Sequence, residues 1–295
     1  MRYDELLSEL TETLKVCVSL SLAAAVEGSR FKKYQERIQR LCEILQAYPV
    51  EQLPAEIEAE LKKENLDYVL SLTESVEFIR AVSFLKTCDE DVVRRKIVTV
   101  LGGPPLPDDE NENSNEARNT LFELNLVSKL RHAGFDATPG MRADIECNVG
   151  DEHVLVECKR PFREHNVARQ ISKAGRQLRK RLSTFPSGSR GVIAISLSKI
   201  MNPGDKFFVY LEESSAKETL SQKLEAVADS TKSAWDGLGR KIIGILFHVI
   251  TPSLDRKNHK YSVGEQFNAH PLAAAGSSDY RTFKQLCDAL ASLQH

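Results

Sequence analysis

No two of the six cysteines, at positions 17, 42, 88, 147, 158 and 287, stand in a CxxC pair, and their scatter outlines no disulfide framework. A structural zinc site and a disulfide-stapled scaffold are both disfavoured on that ground. A basic segment leading into an apolar stretch, the mark of a secretory signal, is also missing. Reduced thiols in a cytoplasmic protein are therefore the expectation. Long apolar runs are lacking as well. The longest, VCVSLSLAAAV at 16–26, covers 11 residues after an acidic start, too few to span a bilayer, and reads as a buried helix. No membrane partner is expected. Nor is there an excess of one charge: 40 Lys and Arg against 42 Asp and Glu leave a net −2, so any attraction for nucleic acid must come from a local patch. No internal repeat or low-complexity tract is found. What remains is a chain of 295 residues, 41% hydrophobic and 28% charged, a soluble globular composition with room for one large domain or two ordinary ones.

Residues 1–103 read as a helical domain. Leu6, Leu10, Leu14 and Val18 recur every four residues, as do Tyr34, Ile38, Leu41 and Leu45 less regularly, and a third stripe runs through Val69, Leu72, Val76, Ile79 and Val82. Breaks at Gly28, Pro49 and Pro54 separate these helices, and no chemical motif stands out among them. Their expected roles are partner binding, self-association or regulation. The stretch GGPPLPDDENENSNE at 102–116, with two glycines, three prolines and five acidic residues, marks a linker or exposed loop, taken as 104–115.

Residues 116–295 have a different texture. A helix ends at Gly134, short strands follow near 135–138, 142–147 and 153–159, and NVGDE supplies a hairpin turn between the last two. A helix over 165–183, a buried strand at 192–198, a helix at 214–236, a strand at 241–250, a weaker extended stretch near 260–268 and a closing helix at 279–293 complete the order. This predicts an α/β fold with helices packed on a mixed sheet.

The chemistry concentrates in ADIECNVGDEHVLVECKRP. Alternation along HVLVECK places Val154, Val156 and Cys158 on one face and Leu155, Glu157 and Lys159 on the other. A hairpin turning near 149–151 brings Asp144 beside Glu157. Two converging carboxylates make an oxygen-rich site suited to Mg²⁺ or Mn²⁺, with the ammonium placed to orient a water or offset charge on a phosphate. A Glu-x-Lys on its own is a weak signal and reads first as a solvated cross-strand pair with Asp144 nearby. Glu123 lies on the apolar face of the preceding helix, with Leu126, Val127 and Leu130 within about 60° of it, so it needs a cation or strong hydrogen bonds. That cation is either a metal or an ordinary Arg or Lys partner. Glu116, two turns earlier, is its rival and equally a helix-start residue. On the helix after Lys159, Val167, Ile171, Ala174, Leu178 and Leu182 form the apolar stripe, Gln170, Lys173 and Gln177 flank it, and Arg169, Arg176 and Lys180 lie roughly opposite. From Lys159 to Arg181 there are nine basic residues, Arg160 and Arg163 among them, and one acidic residue. Such a cluster suits a phosphate backbone, or a solvated face. Cys158 points away from Glu157 and has no evident base, so it reads as core; His132, His153 and His165 show no metal spacing.

Glu123, Asp144, the ECK at 157–159 and the helix carrying Gln170 and Gln177 together resemble the PD-(D/E)xK, or restriction-endonuclease-like, nuclease superfamily, with Gln177, or alternatively Gln170, similar to the glutamine of RecB-like and Holliday-junction-resolvase-like members. The likeness covers roughly 116–198 in the order αβββαβ, and departs at Ala143, where the family motif has proline. It implies a Mg²⁺-dependent phosphodiesterase, with Mn²⁺ substituting and DNA favoured as substrate. Asp144, Glu157, the Cys158 carbonyl and Glu123 would then be metal ligands, directly or through water, and Lys159 would assist the attacking water. Arg160, Arg163, Arg169, Gln170, Lys173, Arg176, Gln177 and Lys180 would meet nucleic acid. A nuclease core joined to a helical region also resembles effectors of prokaryotic anti-phage defence. The alternatives are RNA or tRNA cleavage, and a catalytically silent nucleic-acid-binding or scaffold protein on the same fold.

Overall fold

The apolar spacing of the N-terminal region folds as helices in the computed structural model, which describes residues 2–48, 52–84, 90–106, 109–110, 115–140, 142–202, 208–210, 212–255 and 260–293. These are α1 (Tyr3–Ser19), α2 (Ala23–Glu27), α3 (Arg30–Ala47), α4 (Ala55–Lys63), α5 (Asn65–Ser83) and α6 (Glu90–Leu101). Leu6, Leu10 and Leu14 are buried as expected, but Val18 is 45% exposed and Cys17 takes its place. A strict spacing of four drifts about 40° per step on a helix, so the fourth member of the stripe has rotated out. Ser29 caps α3, its hydroxyl accepting from the Lys32 N–H at 3.2 Å. α5 buries the expected Val69, Leu72, Val76 and Val82, and also Ser71, Thr73, Glu74 and Ser75.

The second half runs α7 (Glu116–His132), β1 (Asp136–Pro139), β2 (Ile145–Val149), β3 (Glu152–Lys159), α8 (Val167–Leu182) and β4 (Arg190–Ser196). It continues through α9 (Ser198–Met201), β5 (Phe208–Tyr210), α10 (Glu213–Thr231), β6 (Ile242–Asp255), β7 (Lys260–Pro271) and α11 (Ser278–Ser292). The seven strands form one mixed sheet in the order β1-β2-β3-β4-β6-β5, with β7 also paired to β6. β1, β2 and β3 are antiparallel neighbours; β3, β4 and β6 run parallel. Gly150, at φ 59°, supplies the left-handed turn between β2 and β3.

The strand over 241–250 extends to Asp255, and the weaker stretch near 260–268 is a full strand running to Pro271. Pro252 and the loss of alternation in TPSLD stop the pattern in sequence, yet β7 pairs with β6 along its whole length and carries it onward.

Two apolar cores sandwich the sheet. On one face, Leu121, Leu124 and Val127 of α7 and Phe283 and Leu286 of α11 meet Val154, Val156 and Cys158 of β3, and the same core continues into α1, α3, α5 and α6. On the other, Val167, Ile171, Ala174 and Leu178 of α8, with Leu220 and Leu224 of α10, cover Leu155, Ile193 and Ile195. The N-terminal helices thus share a continuous core with α7 and the sheet. The described part of 104–115 packs too: the Pro105 carbonyl accepts from the Tyr34 hydroxyl at 2.8 Å, and Glu110 is 4% exposed.

Candidate functional site

The β2–β3 register pairs Ile145 with Val156, so Asp144 and Glu157 stand opposite each other at the open end of the hairpin. Asp144 Oδ2 accepts the Cys158 backbone N–H at 2.8 Å, which fixes that carboxylate against β3. Glu157 is fully buried. Its Oε1 accepts from Lys159 Nζ at 2.5 Å, and the same ammonium lies 3.0 Å from the Cys158 carbonyl and 3.8 Å from Asp144 Oδ2. Three oxygens from two carboxylates and one carbonyl therefore surround a single positive group. Ala143, where the resembled motif has proline, packs into the apolar core beneath α8.

Glu123 is 14% exposed and bonds Lys96 of α6. Burial raises its pKa, Lys96 opposes that, and the negative charge of Asp144 adds to it. The partner of Glu123 is thus a lysine from the N-terminal helices, one of the two cations its sequence position left open. Among the described residues, no group of three or more His, Cys, Asp or Glu side chains is arranged to hold a metal ion. The donor set that does converge is Asp144, Glu157 and the Cys158 carbonyl, all hard oxygens, a chemistry that fits Mg²⁺ or Mn²⁺. The Cys158 side chain lies buried on the opposite face, and burial followed by the charges of Asp144 and Glu123 lifts its thiol pKa well above the ordinary value.

The acids open onto a cleft of about 430 Å³. Glu116, Asn119 and Glu123 line one wall from α7, Gln170, Lys173 and Gln177 the other from α8, and Arg95, Lys96 and Thr99 close it from α6. Gln177 Oε1 is buried and accepts no hydrogen bond among the described residues. Around the corner, Arg169, Gln170, Lys173 and Arg176 line a second groove of about 350 Å³ that shares Asn115, Arg160, Gln170 and Lys173 with the first. Arg163, Arg169, Lys173, Arg176 and Lys180 are exposed. Arg160 instead turns inward, 11% exposed, with its guanidinium 3.1 Å from Glu110 Oε2. His153 stacks on Phe185 at 5.4 Å, and His132 bonds the Ser128 carbonyl at 2.7 Å, so both are occupied structurally.

Two features were not anticipated from sequence. Arg181 of α8 contacts Glu157 Oε2 and lies 4.0 Å from Asp144 Oδ1. Its position one helical turn beyond Gln177 was the available signal. The second is a buried chain of alternating charges that starts in the N-terminal helices. Arg30 lies 2.8 Å from Glu74, Glu74 is 2.5 Å from Arg118, Arg118 is 3.0 Å from Glu110, and Glu110 reaches Arg160, the residue after Lys159. Burial works against the Glu74 charge, but the guanidiniums of Arg118 and Arg30 outweigh it and hold the carboxyl below its usual range.

Neighbouring Glu77 has the opposite fate: burial and the charge of Glu74 push its pKa up to about 8. The folded state therefore binds a proton that the unfolded chain releases near its ordinary carboxylate value, so this group's contribution to stability falls as pH rises through that window. Glu77→Gln is expected to stabilise the fold at pH 8 by on the order of 1–2 kcal/mol, seen as a higher melting temperature, and to change nothing at pH 4, as followed by thermal denaturation at both pH values. An equal effect at the two pH values would contradict it.

Compared with family models, with curated proteins and with solved structures, the chain matches none. Among the described residues the protein has an α/β fold with a mixed seven-stranded sheet and an acidic, cation-lined cleft at one strand end. No helix among the described residues is long and apolar enough to cross a membrane.

Proposed function

We propose that the protein is a metal-dependent nuclease of the PD-(D/E)xK type, acting on DNA as an endonuclease. The observation that carries this reading is the convergence of Asp144 Oδ2, Glu157 Oε1 and the Cys158 carbonyl about Lys159 Nζ at the floor of a cleft. The order α7-β1-β2-β3-α8-β4, with β1–β3 antiparallel and β4 parallel to β3, supports it. Asp144, Glu157 and the Cys158 carbonyl would hold Mg²⁺, with Glu123 beside them, and the ion would supply a Lewis-acidic charge at the scissile phosphate and lower the pKa of water. Lys159 positions the nucleophilic water and offsets charge developing on the phosphoryl oxygens. Gln177, which lines the same cleft and has a buried oxygen without a hydrogen bond among the described residues, orients a polar group of the substrate or its water. The exposed cations of α8 hold the backbone on either side of the break. A role as an effector in anti-phage defence is the biological setting that fits a nuclease core sharing its fold with a helical region.

The test is incubation of the whole protein with supercoiled, linear and single-stranded DNA and with RNA, in Mg²⁺ or in EDTA. Nicking or linearisation of supercoiled DNA in Mg²⁺ alone is expected; RNA cleavage alone would move the substrate class, and no cleavage of any substrate in Mg²⁺ or Mn²⁺ would sink the reading. A second reading has its own observation: every acid of the cluster has a side-chain cation, so the same fold serves as a silent nucleic-acid-binding scaffold. That reading requires no divalent-ion binding at millimolar concentration.

Binding itself makes a separate prediction. Lys173, Arg176 and Lys180 have no ion-pair partner among the described residues and face solvent along one helix. Replacing any one of them by alanine is expected to weaken DNA binding about equally for all sequences and to reduce the salt dependence by about one unit of slope. Filter binding across a salt series measures it, and an unchanged slope in all three variants would remove α8 from the interface.

A further inference from the structure

Both oxygens of the Glu157 carboxylate are already taken. Lys159 holds Oε1 and Arg181 contacts Oε2. The same guanidinium nitrogen, Nη1, lies 4.0 Å from Asp144 Oδ1. The two oxygens that Arg181 faces thus belong to the two carboxylates that would hold a divalent ion. We propose that Arg181 is the resident cation of the metal-free site and competes with the divalent ion for Asp144 and Glu157. This rests on the nuclease reading and adds a device that controls metal entry.

Burial explains why a resident cation is needed. Glu157 is fully inaccessible, and an unpaired carboxylate there would oppose folding. Neither Glu157 Oε2 nor Arg181 Nη1, both buried, has a conventional hydrogen-bond partner elsewhere among the described residues. Arg181 can also leave. It occupies the last turn of α8, outside the apolar stripe of Ile171, Ala174, Leu178 and Leu182, and its side chain is 26% exposed. Swinging the guanidinium outward therefore disturbs no core contact of that stripe. Lys159 also lies among these groups, at Glu157 Oε1, the Cys158 carbonyl and, 3.8 Å away, Asp144 Oδ2, but its proposed part is to position the water, and Arg181 is the cation on the remaining oxygen of each carboxylate. A divalent ion and a guanidinium held by the same two carboxylates repel each other in a poorly solvated site, so entry of one is coupled to exit of the other.

The experiment is a calorimetric titration of Mn²⁺ into the full chain without DNA. Arg181→Met, which keeps the aliphatic stem, is expected to bind Mn²⁺ about tenfold more tightly than wild type or better, and Arg181→Lys to fall between them. Arg179→Met removes the same charge from the same helix, but that guanidinium donates to the Gly237 carbonyl, and its affinity should stay within about twofold of wild type. Without metal, Arg181→Met should melt below wild type and recover when Mn²⁺ is added. Should the methionine variant not fold, the lysine variant carries the comparison. Equal or weaker Mn²⁺ binding by the Arg181 variants overturns the competition, and leaves the nuclease reading intact if wild type binds Mn²⁺ and cuts DNA. Absence of Mn²⁺ binding by wild type and variants alike overturns both.

Discussion

Lys159→Ala is expected to lower Mg²⁺-dependent cleavage by about 10²–10³-fold while leaving DNA affinity in Ca²⁺ within about twofold of wild type. The separation follows from geometry. Lys159 Nζ is within 3.8 Å of Asp144 Oδ2, Glu157 Oε1 and the Cys158 carbonyl, so in the proposed mechanism it would act where the phosphate reacts. The cations proposed to grip the backbone stand outside that point, on α8. The variant retains the Glu157–Arg181 contact, so the buried carboxylate keeps one partner and the protein should fold. Single-turnover cleavage with enzyme in excess isolates the chemical step. Equal rates for Lys159→Ala and wild type would end the assignment of Lys159 to catalysis. A loss of DNA affinity matching the loss in rate would make it a binding residue instead.

The parts of the site joined by local chain geometry were legible in the sequence. A tight turn at Gly150 sets an antiparallel register, and that register alone puts Asp144 beside Glu157. Strand alternation likewise sends Cys158 to the α7 side and Leu155 to the α8 side. The pairings across long separations were not legible. Nothing around Glu123 indicates that Lys96, 27 residues earlier, supplies its cation. Arg160 reads as one more base in a basic run, yet it turns toward Glu110, 50 residues away in an acidic stretch that composition marks as exposed. Glu74 looks like a surface residue on an amphipathic helix, but α5 lies between α3 and α7 and has no solvent face at that level. Periodicity reports which residues avoid water; it does not report which buried charges have found each other. The boundary expected at 104–115 suffers from the same gap, because Tyr34, Arg118 and Arg160 anchor its described residues from three sides.

Glu74→Gln should therefore be the most damaging single change to stability, by about 3–5 kcal/mol, read from urea unfolding. Arg30 has no exposed side-chain surface and Arg118 is 5% exposed, and Glu74 bonds both. Glutamine keeps the volume and removes the charge, so two guanidiniums stay buried with one shared partner neutralised. Arg118 retains Glu110, whereas Arg30 is left with the carbonyls of Val100 and Gly102. The sign of the pH dependence gives an independent check. The Glu74 carboxyl is held below its usual range in the folded state, so its contribution is complete above the unfolded carboxylate value and fades as pH falls through the folded one. Wild type should lose stability on acidification more steeply than Glu74→Gln, and the two curves should converge at low pH. A drop under about 1 kcal/mol at neutral pH, or parallel acid limbs, would show that the chain of charges is not cooperative. Because that chain ends at Arg160, next to Lys159, the variant should also cleave more slowly at temperatures where it remains folded. The buried charges would then link the N-terminal helices to the catalytic strand end as one mechanical unit.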